Sequence, residues 1–192
     1  MFATPPNWAL IRQCKDGWIA PCSVEERASY DPWSLLLIGK VLAMTCEFTK
    51  DMPEKKELWK RTEKGLLKAM ECLYNLMEEG TVKLFSWGKF RWFEGLIPLQ
   101  YLQSRYRRDW IVKLGRMLQE QGADWPSFTD TWGRPINQWT FHTHIVNIAM
   151  MLKSEAVSCD LLGEDYTDLA EKLHSILDKY NGTVYGSYTG DE

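Results

Sequence analysis

The sequence predicts an all-α protein built from helical hairpins, and three observations lead to this fold class. Apolar residues recur every three to four positions over long stretches, as they do on one face of a helix. Residues that start or stop helices separate these stretches. No stretch shows the strict apolar–polar alternation of a half-buried strand. We expect a single domain over residues 1–192.

The first predicted hairpin begins at Asp31, because Asp is a good N-cap and the Pro that follows suits the first helical position. Apolar residues continue at helical spacing as far as Phe48. The segment "DMPEKK" then separates this helix from a second one, whose apolar stripe ends at Gly80. The short connection predicts that the two helices are antiparallel.

Two further hairpins are predicted from the same signals. "FRWFEGLIPLQYLQSRY" predicts a helix that Pro98 kinks, and "RDWIVKLGRMLQEQG" predicts its partner. "HIVNIAMMLKSEAVSCDLLG" and "EDYTDLAEKLHSILDKYNG" form the third pair. Aromatic loops such as "KLFSWGK" and "GADWPSFTDTWGRPINQWTF" connect the hairpins, and loops of this length usually carry function. We expect part of a helical toroid, in which the loops at one end form a cleft.

Composition excludes several classes of function. A net charge of −3 provides no basic excess for a nucleic-acid partner. The longest apolar run, "LLLIG", is too short to cross a membrane, and no signal peptide is visible. The five cysteines are scattered without a C-x-x-C pair, which favours reduced thiols in a cytoplasmic protein and predicts no metal site.

Ten tryptophans and a glycine-rich ending raise the question of a sugar-binding function. Aromatic rings on loops suit the C–H faces of sugars, whereas tryptophans in a helical core are the structural alternative. The closing segment "GTVYGSYTGDE" is predicted to be a loop that presents Glu192. That carboxyl group is either a catalytic acid or part of a solvated terminus.

Five segments occur together in an order and spacing that resemble a known family. They are "QCKDGWIAPC", "YDPWSLLLIGKVLAMTCEFTKD", "FRWFEGLIPLQYL", "THIVNIAMMLKSEAV" and "YGSYTGDE". From about residue 13 to residue 192, the chain resembles the β-L-arabinofuranosidase-like glycoside hydrolases, which have an (α/α)6 barrel and were long classed as a domain of unknown function. The resemblance implies a carbohydrate substrate.

The resemblance also implies roles for individual residues. Glu192 matches the family's general acid/base, which protonates the departing glycosidic oxygen. His144 and Asn147 match a helix start that contacts the sugar, although His144 or His142 is equally suited to cap that helix. The other residues predicted to bind substrate, each with packing between hairpins as the alternative, are Asp31, Trp33, Arg91, Trp92 and Glu94. Trp18, in the turn "DGW", is predicted to form a wall of the cleft.

The chain departs from this family in one important respect. In the family a cysteine held on zinc is the nucleophile, and its Glu-x-Cys and Cys-Cys segments follow the Gly-Asp-Glu segment. None of the five cysteines here has that spacing, so we expect no cofactor in this chain and zinc only in full-length relatives. Three hairpins make half a barrel. We therefore expect a truncated, inactive piece that associates with itself through the open edge of the barrel.

Two other interpretations stay open at the level of sequence. The chain could be a helical-hairpin scaffold or a carbohydrate-binding module without catalytic activity, as the missing nucleophile suggests. It could also be related to other six-hairpin enzymes, such as the unsaturated glucuronyl hydrolases, which share the architecture but not these motifs.

Overall fold

The computed structural model describes residues 5–133 and 140–190, and the side chains of 5–8 are outside the description. Within these ranges the chain is helical and contains no strand. The helices are α1 (Pro5–Arg12), α2 (Trp33–Thr49), α3 (Lys56–Glu78), α4 (Ser86–Phe90), α5 (Leu96–Tyr106), α6 (Asp109–Gln121), α7 (Thr129–Trp132), α8 (Ile145–Met151), α9 (Ser154–Leu162) and α10 (Leu169–Asn181). Short 3-10 turns cover Arg27–Ser29, Pro53–Lys55, Trp92–Gly95 and Trp125–Phe128.

The helices pack as three successive pairs. Helix α2 packs on α3, α5 packs on α6, and α9 contacts α10. The first helices of the pairs, α2, α5 and α9, also contact one another in chain order, and α3 contacts α6. Helices α2 and α3 approach closely at Gly39, where an added Cβ would lie 2.7 Å from Met70 Cε.

The core lies between these packed helices and is dominated by leucine. Burial of each such side chain contributes about 1.5–3 kcal/mol relative to exposure. Fully buried examples from α2, α3, α5 and α6 are Leu35, Leu36, Leu42, Leu66, Leu73, Leu96, Leu99, Leu102, Leu114 and Leu118.

One face of α2 is left without a covering element in the described part of the chain. Leu37, Val41, Met44 and Phe48 are 43%, 41%, 59% and 73% exposed, and we call this stripe the open face of α2. Met44 and Phe48 also line an apolar groove of about 590 Å³, which continues onto α5 at Tyr101. The open face follows directly from the helical spacing of its residues.

The all-α prediction is confirmed, and the details differ from it in three places. Pro98 lies in the first turn of α5, where proline is tolerated, and the preceding turn is 3-10 rather than a kinked helix. The predicted helix after His144 is divided into α8 and α9 by a turn at Leu152 and Lys153. The predicted loops also contain the short helices α4 and α7.

Among the described residues, no helix combines the length and the apolar character that a membrane span requires.

Candidate functional site

Aromatic and polar side chains surround the side chain of Arg91. Its guanidinium carbon lies 4.8 Å from the ring centroid of Trp33 and 4.3 Å from that of Trp87. Its Nε donates a hydrogen bond of 2.7 Å to Oδ1 of Asn147. The ring of His144 meets Trp87 edge-to-face at 5.7 Å. We call these five residues the Arg91 cluster.

The members of the Arg91 cluster lie at or near the ends of three helices, α2, α4 and α8. Trp33 is the first residue of α2, Trp87 belongs to α4, and Arg91 follows α4 directly. His144 precedes α8 and Asn147 lies in its first turn. The helix ends therefore bring together residues that are up to 114 positions apart in sequence, from Trp33 to Asn147.

Asn147 holds Arg91 in a fixed orientation. Its Nδ2 donates a hydrogen bond of 2.8 Å to the carbonyl of Phe141, which leaves Oδ1 as the acceptor for Arg91. Asn147 is fully buried. A buried amide whose donor and acceptor are both satisfied is a rigid support, since rotation would break both hydrogen bonds.

Asp31 has a different local role from the one its sequence predicts. It does not cap α2; instead its Oδ2 accepts a hydrogen bond of 2.8 Å from the backbone N–H of Gly88, in α4. Burial raises the pKa of Asp31, and hydrogen bonds from backbone N–H groups partly oppose this. Asp31 thus joins the start of α2 to the helix that carries Trp87.

Glu94 lies beside the Arg91 cluster but is fully buried, so its carboxylate has no surface to offer a ligand. Lys40 Nζ, from α2, lies 2.7 Å from its Oε2, and Lys153 Nζ pairs with its Oε1. Both lysines are partly exposed. The expected contact between Glu94 and substrate is therefore corrected to an ion pair within the protein.

Trp18 and Trp92 lie in the core rather than in a cleft with the Arg91 cluster. Trp18 is 0% exposed and packs beneath Arg27, with its ring edge-to-face with Tyr30. The prediction that it forms a cleft wall is wrong for this reason. Trp92 is also buried, and its Nε1 donates to the carbonyl of Ala123 at 3.3 Å.

The closing loop folds back toward the start of α8. An isolated bridge joins Gly182 to Tyr188, and Asn181 Nδ2 donates to the carbonyl of Thr189 at 2.7 Å. An added Cβ at Gly190 would lie 2.6 Å from Cβ of Ile145, the residue after His144. Glu192, the predicted general acid, lies outside the described residues.

Another cleft, of about 430 Å³, lies between α6 and α9, and Trp92 contributes to its lining. Two of the acidic side chains that line it, Glu155 and Glu164, are engaged in contacts between elements. Glu155 accepts hydrogen bonds from the N–H groups of Thr167 and Ala170, at the start of α10. Glu164 pairs with Arg116 at 2.6 Å. These contacts join helices.

Residues 5–133 and 140–190 contain no group of three or more His, Cys, Asp or Glu side chains arranged to hold a metal ion. All five cysteines are free.

Sequence reasoning did not single out Trp87, Lys40 or Lys153. Trp87 lies in the predicted aromatic loop "KLFSWGK". Only the tertiary structure shows that α4 places its ring against Arg91. The lysines have no sequence signal, since they meet Glu94 across 54 and 59 residues of chain.

Comparison with known proteins gives no relative: no family model, no curated protein and no solved structure matches this sequence significantly.

Proposed function

We propose that the Arg91 cluster is the carbohydrate-binding site of a glycoside hydrolase similar to the β-L-arabinofuranosidase-like family. The observation that carries the proposal is the cluster itself, with two half-buried indole rings beside a guanidinium, an amide and an imidazole. An aromatic ring suits the C–H face of a sugar, and a few convergent polar groups suit its hydroxyls.

The packing of the helices supports a partial (α/α) toroid as the finer architecture. In such a toroid the first helices of successive hairpins form the inner layer and the second helices form the outer one. The contacts of α2 with α5, of α5 with α9, and of α3 with α6 follow this order. The Arg91 cluster would then lie at one end of the inner layer.

For catalysis we propose Glu192 as the general acid that protonates the leaving oxygen. The contacts of the described residues support this choice over the nearby carboxyl groups. The closing loop approaches Ile145 through Gly190, two residues before Glu192. Asp31 and Glu94, by contrast, are held by Gly88 and by two lysines. A binding module without catalytic activity would use the same cluster.

We also propose a cytoplasmic location, which the five free cysteines support because reducing compartments keep thiols unpaired. The proposed partners are a carbohydrate and, through the open face of α2, a second copy of the chain.

Calorimetric titration with arabinofuranosides and related pentosides tests the binding site. We expect Trp33→Ala and Trp87→Ala each to weaken binding about tenfold or more, since each removes one aromatic ring of the site. Trp59→Ala is the matched control, because Trp59 also lies beneath an arginine, Arg105, at 5.0 Å, but on α3.

Circular dichroism of each variant separates lost binding from lost folding. Wild-type protein that is folded and binds none of these sugars would refute the site for this family's substrates. An equal loss of affinity in Trp59→Ala would show that the effect is general. Binding without turnover by the chain would favour the binding module over the hydrolase.

A further inference from the structure

We infer that the ligand of the Arg91 cluster is an acidic saccharide, whose carboxylate is bound by the outward-facing nitrogens of Arg91. The inference rests on the proposed carbohydrate site and specifies the class of sugar that it takes.

Arg91 makes no ion pair with any carboxylate of the described chain, and its only hydrogen bond there uses Nε. The two terminal nitrogens, Nη1 and Nη2, have no acceptor among the described residues. The side chain is only partly exposed, and burial lowers its pKa. A guanidinium stays charged in proteins, and partly buried charges normally have a partner.

Glu94 attracts Arg91 electrostatically, but none of the described carboxyl groups forms an ion pair with the guanidinium. Glu94 is paired with both Lys40 and Lys153, and Asp31 accepts from the N–H of Gly88. Among the described residues around the cluster, three cationic side chains therefore face two carboxyl groups, and burial favours the neutral form of Asp31. The local excess of positive charge attracts an anion.

The geometry of the guanidinium favours a carboxylate as that anion. Trp33 and Trp87 cover the guanidinium at 4.8 and 4.3 Å, and Asn147 fixes its Nε edge. The remaining donors are Nη1 and Nη2, which point the same way and match the two oxygens of a planar carboxylate. Because three elements already hold the side chain, little conformational entropy is lost when the anion binds.

A sugar and a carboxylate can be recognised together at this place. The indole rings that hold Arg91 are the same rings that would pack against the sugar, so a carboxylate attached to the ring lies beside the guanidinium. A uronic acid has this arrangement, in which the C6 carboxylate extends from the pyranose.

Calorimetric titration with matched pairs of sugars tests the inference. Each pair consists of the methyl glycoside of a uronic acid and its neutral parent, for glucuronic and galacturonic acid. We expect at least one uronate to bind about tenfold or more tightly than its neutral parent. Its affinity should fall as sodium chloride is raised, whereas binding of the neutral parent should not change.

Three variants locate the effect. Arg91→Gln should lower uronate affinity to about the level of the neutral parent, and Arg91→Lys should restore only part of it, because an ammonium lacks the bidentate geometry. Arg105→Lys is the control, since Arg105 also stacks on a tryptophan but pairs with Glu63. It should leave uronate binding unchanged.

The outcomes separate this inference from the proposed function. Equal affinity for uronates and neutral sugars, or an equal loss for both in Arg91→Gln, overturns the acidic sugar and leaves the carbohydrate site standing. Acetate that binds as tightly as the uronates also overturns it, because the site would then recognise a bare anion. Folded protein that binds neither uronates, neutral parents nor pentosides refutes both proposals.

Discussion

Asp31 and Asp16 are two carboxyl groups whose pKa values move in opposite directions for clear physical reasons. Burial raises the pKa of Asp31, whose oxygen accepts from the N–H of Gly88. A hydrogen bond from Arg27 lowers the pKa of Asp16, and the Nη1–Oδ2 distance is 2.5 Å. The two residues therefore couple stability to pH with opposite signs.

At the residue scale, we predict that Asp31→Asn reduces the pH dependence of stability above pH 4. The folded-state pKa of Asp31 is raised, so its contribution is fully present below the ordinary value of 3.8 and is lost as pH rises through the folded value. The free energy of unfolding of wild type, relative to the variant, should fall as pH rises. Urea unfolding at several pH values measures it.

Asp16→Asn is the matched control for this prediction. Its pKa is lowered, so its contribution is present above the ordinary value of 3.8 and is lost as pH falls through the folded value. Because its side chain is 49% exposed, we expect a cost of only about 1 kcal/mol at pH 7, nearly constant down to pH 5. A wild-type advantage over Asp31→Asn that grows with pH would contradict the assigned direction.

At the scale of elements, the carboxylate of Glu94 joins α2 to the turn between α8 and α9. Lys40 and Lys153 provide its two partners. We predict that Lys40→Met and Lys153→Met each cost about 1 kcal/mol, because one partner remains, while the double variant costs about 3–5 kcal/mol, because a buried carboxylate is then unpaired. Denaturant unfolding of the four proteins measures this coupling.

Lys60→Met serves as the control for the lysine pair. Lys60 and Glu57 form an exposed i,i+3 pair on α3, with side chains 53% and 87% exposed, and such pairs contribute little. Purely additive costs for Lys40→Met and Lys153→Met would show that the two lysines do not share Glu94 in solution.

At the scale of the whole molecule, the open face of α2 has no covering element in the described chain. Its exposed apolar side chains run from Leu37 to Phe48. Soluble monomers rarely leave such a continuous stripe uncovered. This is the physical basis for the proposed contact with a second copy.

We predict concentration-dependent association of the wild-type chain that Phe48→Glu weakens. A charge buried in an apolar contact has to be desolvated, so the dissociation constant should rise about tenfold or more. Sedimentation velocity over a range of concentrations measures the change. Val184→Glu is the control, since Val184 is 93% exposed but lies on the closing loop rather than on α2. A monomer at every concentration would contradict the prediction.

Helix formation could largely be predicted from the sequence, whereas the site could be predicted only in part. The apolar spacing and the stop at Gly80, whose φ is +76°, are local signals, and they correctly indicate α2 and α3. His144, Asn147 and Trp33 were selected through resemblance to a family, and the structure brings these three together around Arg91. Trp18 had an equally suggestive position beside a turn but is buried.

By itself, the sequence determined the all-α class, because the periodicity of apolar residues and the punctuation by Pro and Gly act over a few residues. Only the tertiary structure decided which polar and aromatic side chains are buried, paired or left accessible. Glu94 became an internal ion pair, whereas the terminal nitrogens of Arg91 kept no acceptor in the described chain. The reason is that such pairing joins side chains more than 50 residues apart, which no local pattern encodes.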